Sequence, residues 1–401
     1  MNEIRIRPLT IRLTGTLTAQ SINRMLMWMF TFFVVFTPVD VFGLKKLSLI
    51  VLLAVNLDSL EIRDRRMKLP VIGAGLIVTT ATILLSYIHT GELWENITQG
   101  YMGYILLLYI VIEKHGIDFK KIFTDTLLLM ALFTVAMAAL DFTRIIPMKA
   151  NPLLNWMHDT GIALVGKGSH LVTGYVIFVK TCPLLVIIIP GLYSEKRYGA
   201  TVLTFLALFI SGTRANIITG FGVLAATILV KKNKNNFEWI LVMISAGVVI
   251  ASAGRAMQTI SDMFVMKKDS DAVRTGELES ILQIFRSEDG ALLLGRGYTS
   301  EFFNSGRGRY ASIIELSYWN LLRQVGLFLF IPMMICYFYP VAKLARTKGR
   351  IPMAVGYLGY LVIAYTNPLL YSTTGVLALL YMYSLIHQYI PYEKDPSLRS
   401  G

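Results

Sequence analysis

Arg214, Arg274, Glu315 and Arg323 are charged residues set at the edges of apolar segments or inside them. Arg214 lies in Ser211-Gly212-Thr213-Arg214-Ala215-Asn216, between two apolar runs. An arginine at membrane depth is costly and marks a candidate functional site. The spacing predicts that it opens a helix with Thr213 as N-cap, so that free N–H groups and the positive dipole end join the guanidinium in holding an anion. An interfacial arginine that snorkels to lipid phosphates is the other reading. Arg274 belongs to an amphipathic helix predicted from Ala272 to Arg286, where Leu278, Ile281, Leu282 and Phe285 recur at helical spacing. This spacing puts the guanidinium on the apolar face, where it needs an anionic partner: a ligand, a neighbouring carboxylate or a lipid headgroup.

Glu315 lies in Ser312-Ile313-Ile314-Glu315-Leu316-Ser317-Tyr318-Trp319-Asn320-Leu321-Leu322-Arg323-Gln324-Val325-Gly326. Two readings stay open. Ser-x-x-Glu is a capping box, in which the carboxylate satisfies a helix-end amide. Alternatively, Glu315, Trp319 and Arg323 share one helical stripe lining a cleft, with the carboxylate at its mouth as a general base. Asp269-Ser270-Asp271 has a spacing that binds a divalent cation beside a diphosphate, but Asp271 suits an N-cap equally and Lys267 and Lys268 already neutralise the pair. His158, Asp159 and His170 are too scattered for a metal site, and neither a metal nor a cofactor is expected. There is no Gly-rich phosphate loop after a strand, zinc-protease helix or nucleophilic serine motif, which excludes a soluble nucleotide enzyme.

The elements that must position these residues are membrane-like. Of 401 residues, 55% are hydrophobic and 16% charged, and the mean hydropathy is +0.58. An ordinary water-soluble globule needs more polar surface than that. Apolar runs predict twelve spans, at about 24–39, 43–58, 69–88, 100–113, 122–141, 170–190, 198–212, 215–230, 238–255, 312–339, 353–367 and 370–389. Basic residues gather in alternate short connections, such as Arg63, Arg65, Arg66 and Lys68, then Lys343, Arg346, Lys348 and Arg350. By the positive-inside rule both termini are cytoplasmic, and the formal charge of +13 is a topology signal rather than a nucleic-acid footprint. The run from Met25 to Pro38 reads as a retained first span rather than a signal peptide. Cys182 and Cys336, both in apolar runs, read as packing residues. The chain divides into helices one to nine over 1–255 with an outer loop at 141–169, a large outer loop at 256–311, and helices ten to twelve with a tail over 312–401. The expected fold class is an all-α polytopic membrane protein.

Three motifs in this order resemble the O-antigen polymerase and ligase superfamily, most of all its Wzy-type polymerases. They are Ser211-Gly212-Thr213-Arg214, the arginine helix followed by Leu294-Gly295-Arg296-Gly297-Tyr298, and Glu315-Leu316-Ser317-Tyr318-Trp319-Asn320-Leu321-Leu322 leading to Gly326. The resemblance implies a GT-C-type glycosyltransferase in the bacterial inner membrane, working on the periplasmic face without a metal. Its implied partners are a polyprenyl-diphosphate-linked oligosaccharide, membrane lipids and a separate chain-length regulator. Arg214 and Arg274 are then expected to hold the diphosphate. Glu315, standing where the ligases carry a histidine, is expected to accept the proton of the attacking sugar hydroxyl. Arg323, Tyr298 and Tyr318 are expected to bind substrate, the tyrosines by stacking on sugar rings as Tyr310 and Trp319 could. An aromatic belt at the interface is the plainer account of those rings. An O-antigen ligase and a flippase of lipid-linked sugar are the alternatives.

Overall fold

The computed structural model describes residues 18–57, 62, 64–167, 175–231, 234–250 and 268–389. Three helices are long and apolar enough to cross a membrane: Arg66–Thr90, Phe119–Phe142 and Ser317–Ala345. Shorter apolar helices span Cys182–Ser194, Tyr198–Ile210, Arg214–Val230, Asn236–Ile250 and Ile351–Tyr365. The chain is all-α apart from two small hairpins among the described residues.

In chain order the helices are α1 (Ala19–Phe36), α2 (Leu44–Ala54), α3 (Arg65–Ile72), α4 (Thr79–Thr90), α5 (Leu93–Gly100), α6 (Leu108–His115), α7 (Phe119–Phe142) and α8 (Pro152–Asp159). A π-helical stretch at Gly73–Val78 joins α3 to α4, and a 3-10 stretch at Tyr101–Leu107 joins α5 to α6. Then come α9 (Leu185–Ser194), α10 (Tyr198–Ile210), α11 (Arg214–Val230), α12 (Asn236–Ile250), α13 (Lys268–Ser287), α14 (Ala291–Leu294), α15 (Ser317–Ala345), α16 (Ile351–Tyr365) and α17 (Thr373–Tyr389). The hairpins are β1 (Ala163–Lys167) with β2 (Tyr175–Val179), and β3 (Phe302–Asn304) with β4 (Arg309–Ala311), both antiparallel. One core runs from Met27 and Phe30 on α1 through Phe123 on α7 to Tyr360 on α16 and Tyr381 on α17. A second, smaller core under α13 joins Ile281, Ile284, Ala291, Phe302, Ile314 and Leu316.

Outward-facing apolar side chains are abundant: Leu69 is 81% exposed, Ile88 73%, Phe142 74% and Met243 71%. Apolar surface on this scale is covered by something other than water.

Three expectations are corrected. The predicted span at 170–190 is a strand in part: Tyr175–Val179 alternates Ile177 and Val179 inward, pairs with β1, and gives way to helix only after Thr181. Its β-branched and aromatic content fits a pleated surface as readily as a helix. The helix predicted from 312 begins at Ser317, so Glu315 stands before it, which removes both the capping box and the Glu315-Trp319-Arg323 stripe. The arginine helix begins at Lys268 rather than Ala272, so Asp271 does not cap it.

Candidate active site

The platform of the site is a break in α15. Gly326 takes φ 70°, ψ 168°, which interrupts the helical hydrogen bonds there. The carbonyls of Arg323 and Gln324 accept instead from the backbone N–H groups of Arg296 and Gly297, both at 2.9 Å. The backbones cross so closely that a Cβ on Gly295 would lie 2.5 Å from the amide nitrogen of Gly326. Tyr298 N–H donates to Ser86 Oγ at 2.9 Å, tying the same loop to α4. Leu294-Gly295-Arg296-Gly297-Tyr298 therefore docks the segment between α13 and α15 onto two helices through its own backbone.

Arg323 lies beneath this join, fully buried. Its Nη1 donates to Ser300 O at 2.9 Å and Ser300 Oγ at 2.7 Å, its Nη2 to Ser312 O at 2.7 Å and Asn320 Oδ1 at 3.1 Å, and its Nε to Asn320 Oδ1 at 3.3 Å. The guanidinium also sits 4.6 Å over the Phe302 ring. A guanidinium has five N–H donors, and all five are engaged. The expectation that Arg323 binds substrate is thereby corrected: it pins both ends of the 300–312 segment to α15.

On that segment rests a four-residue ionic cluster. The α13 helix meets the β3–β4 turn at two glycines, where a Cβ on Gly276 would lie 2.5 Å from Gly306 N. Ser305 Oγ donates to Gly276 O at 2.9 Å, and Ser305 N donates to Ser280 Oγ at 3.0 Å. This contact brings Glu277, fully buried, against Arg307 of the turn, with Nε to Oε1 at 3.2 Å. Asn304 Nδ2 donates to the same oxygen at 3.2 Å, and the Glu315 backbone N–H donates to Glu277 Oε2 at 3.3 Å. Arg307 then reaches Glu315, Nη2 to Oε1 at 2.6 Å, while Arg274 reaches its other oxygen, Nη2 to Oε2 at 3.4 Å. Arg274, Arg307 and Glu315 are each about one third exposed. The structure thus brings together Arg274 and Glu315, two residues singled out from sequence, and adds Arg307 and Glu277, which sequence reasoning missed. Glu277 had a signal: it shares a stripe with Ile281 and Ile284, both buried. Arg307, in Ser305-Gly306-Arg307-Gly308-Arg309, had none.

Arg214 is positioned separately, by the turn between α10 and α11. Gly212 takes φ 66°, and a Cβ there would lie 2.5 Å from Val176 Cγ2, so only glycine makes this turn between α10 and α11. Arg214 is the first residue of α11 and is exposed. Thr213 holds the N-cap position, but its side chain makes no capping bond; its hydroxyl lies 3.3 Å from Ser211 Oγ. Beside Arg214, from Ala215 down, α11 forms one wall of an apolar groove of about 490 Å³ whose other walls are α15 and α16. Ile218, Tyr318, Phe338, Leu358 and Val362 line it. Tyr318, whose hydroxyl donates to Leu361 O at 3.1 Å, follows Glu315 by three residues, at most about 11 Å of chain. The groove lining thus includes the residue after Arg214 on one wall and the third residue after Glu315 on another, but neither charged residue itself.

Tyr298 is 2% exposed and stacks on Tyr371, with centroids 5.3 Å apart and planes at 6°. That face of its ring is taken by Tyr371 and not by a sugar. Tyr310 is 68% exposed and meets Phe303 edge-on. His158 Nδ1 accepts from Val165 N at 3.4 Å, whereas His170 and the side chains of Asp269 and Asp271 lie outside the described residues. Among the described residues, no group of three His, Cys, Asp or Glu is placed to hold a metal. No known protein family, curated protein or solved structure matches this chain.

Proposed function

We propose that this chain is a bacterial inner-membrane glycosyltransferase that joins polyprenyl-diphosphate-linked oligosaccharide units into a surface polysaccharide on the periplasmic face. One observation supports the reading above the others: Glu315 is gripped by Arg274 and Arg307, and the chain three residues on, at Tyr318, lines an apolar groove whose α11 wall starts at Ala215, the residue after Arg214. A diphosphate on a long apolar tail matches both halves of that arrangement. The outward apolar side chains and the three long helices fit a bilayer around the bundle.

In the reaction, the bond between the donor's anomeric carbon and its diphosphate oxygen breaks, and the electron pair leaves with the diphosphate. Fixed guanidiniums meet that developing charge, and one such donor in an oxyanion site is worth about 2.7–4 kcal/mol. The acceptor hydroxyl attacks from the opposite side, so the anomeric centre inverts, and its proton passes to Glu315. At rest both Glu315 oxygens are occupied, and one must be released first. The Arg274 contact, at 3.4 Å between groups one third exposed, is the weaker and costs only ~0.2–1 kcal/mol to open. Diphosphate can draw Arg274 away and clear Oε2, while Arg307 still holds Oε1.

The test is glycan chain length in a strain whose own copy is replaced by Arg214→Ala or Arg274→Ala. The expected result is single repeat units on the lipid core, with the variant protein inserted at normal abundance. Wild-type chain lengths in both variants defeat the reading, and a deletion strain with no repeat unit attached at all would identify a ligase instead.

A further inference from the structure

A second cavity, of about 140 Å³, is lined by Ile313 and Ile314, the two residues that lead into Glu315. Among the described residues, its lining holds no carboxylate, lysine or arginine. Three side-chain amides face it, from Gln99 on α5 and from Asn320 and Gln324 on α15. Asn320 accepts from Arg323 through Oδ1, and Gln324 donates through Nε2 to Tyr298 O at 3.2 Å. Asn320 Nδ2 and Gln324 Oε1 make no hydrogen bond among the described residues, although both residues are only 7% exposed, and neither atom is sealed in by protein. Both atoms keep solvent access, so they are free to exchange water for the hydroxyls of a ligand. The stacked pair Tyr298 and Tyr371 forms an apolar wall beside them.

A neutral lining with unspent donor and acceptor capacity next to an aromatic wall suits a neutral polyol, and it offers no counter-charge to a diphosphate. The space equals roughly four or five waters at ~30 Å³ each, which admits one terminal sugar and not a chain. Ser317, on its wall, follows Glu315 by two residues, at most about 7 Å of chain. We propose that this cavity is the acceptor subsite: it takes the terminal sugar of the incoming unit and turns one hydroxyl toward Glu315. The proposal rests on the glycosyltransferase reading above and adds a second, uncharged site to it.

The experiment is ligand-detected saturation-transfer NMR on the full chain in detergent, with two probes. One is the repeat unit of the host's own surface glycan, freed from its lipid by mild acid; the other is farnesyl diphosphate. The expected result is saturation on the terminal sugar of the free unit, with affinity weakened about 3- to 10-fold for each hydrogen bond removed in Gln99→Ala or Gln324→Ala. Arg274→Ala leaves that signal intact and weakens farnesyl diphosphate instead. Gln99 is half-buried at the rim, so its variant keeps the test valid if the core one fails to fold; unchanged farnesyl diphosphate binding certifies each fold. Farnesyl diphosphate binding that depends on Arg274, without any sugar signal, overturns the acceptor subsite alone. Sugar affinity unchanged in both glutamine variants overturns it too. Absence of both ligands overturns the subsite and the enzyme reading together.

Discussion

Arg323→Ala separates a structural cation from a substrate-binding one. The substitution removes five N–H donors at once, leaving the carbonyls of Ser300 and Ser312 and the Asn320 amide oxygen to find other partners. A buried acceptor left alone costs about 1–3 kcal/mol, and the lost contact with Phe302 adds about 0.5–2 kcal/mol. Relief from burying a cation offsets part of this, since an ion without a counter-charge is worth several kcal/mol of desolvation. The net expectation is a loss of roughly 2–4 kcal/mol concentrated in residues 300–312. Arg323→Lys does not restore it, because three donors on a point charge cannot serve acceptors spread across a planar fork. The assay is thermal unfolding of the purified protein, together with limited proteolysis mapped by mass spectrometry. New cleavage between 300 and 312 is expected before any cut in α15 or α16. Unchanged melting and protease resistance, with loss of polymer alone, would refute the pin and return Arg323 to substrate binding.

Glu315→Gln keeps the shape of the side chain but not its capacity to take a proton; polymer formation in isolated membranes is expected to fall about 10²- to 10⁴-fold, at wild-type melting temperature. Glu277→Ala strips three donors of their acceptor, and at about 1–3 kcal/mol for each group left buried and unpaired the loss is roughly 2–4 kcal/mol; a melt shows it, and Glu277→Gln recovers part. Gly276→Ala places a Cβ 2.5 Å from Gly306 N, so α13 must lift from the hairpin. Both Arg274 and Glu277 then leave Glu315, and polymer length should collapse as in Arg274→Ala, whereas Gly222→Ala, in open space on α11, leaves it unchanged.

Much of the helical framework was legible because apolar runs bounded by charge have few alternatives: the 119–142 and 351–365 helices begin and end within a few residues of where the sequence puts them. The run at 170–190 misled because continuous hydrophobicity does not separate a buried strand from a helix, and the pairing of β2 with β1 decides it. Arg274 and Glu315 were each singled out for charge in apolar surroundings, and they meet. Their partner Glu277 was overlooked by a one-residue error in helical phase: the wheel was centred on Leu278, while the buried stripe runs through Glu277, Ile281 and Ile284. Arg323 was misassigned because the helix was started five residues early, which created a stripe the backbone does not form. No local pattern could place Arg307, since its role depends on a turn folding back against a helix thirty residues earlier in the chain.

The ionic cluster balances itself, two guanidiniums against two carboxylates, so at rest it projects little field into the surroundings. Small anions passing in solution have scant reason to lodge there, because each must displace Glu315 with nothing else to hold it. A ligand anchored first by its hydrocarbon end is held close to the arginines and can make that exchange at high effective concentration. If the proposed lipid diphosphate is the ligand, selectivity belongs to the anchor rather than to the headgroup: free diphosphate is expected to compete poorly even in excess, and a shortened carrier to bind more weakly although every phosphate oxygen is still present.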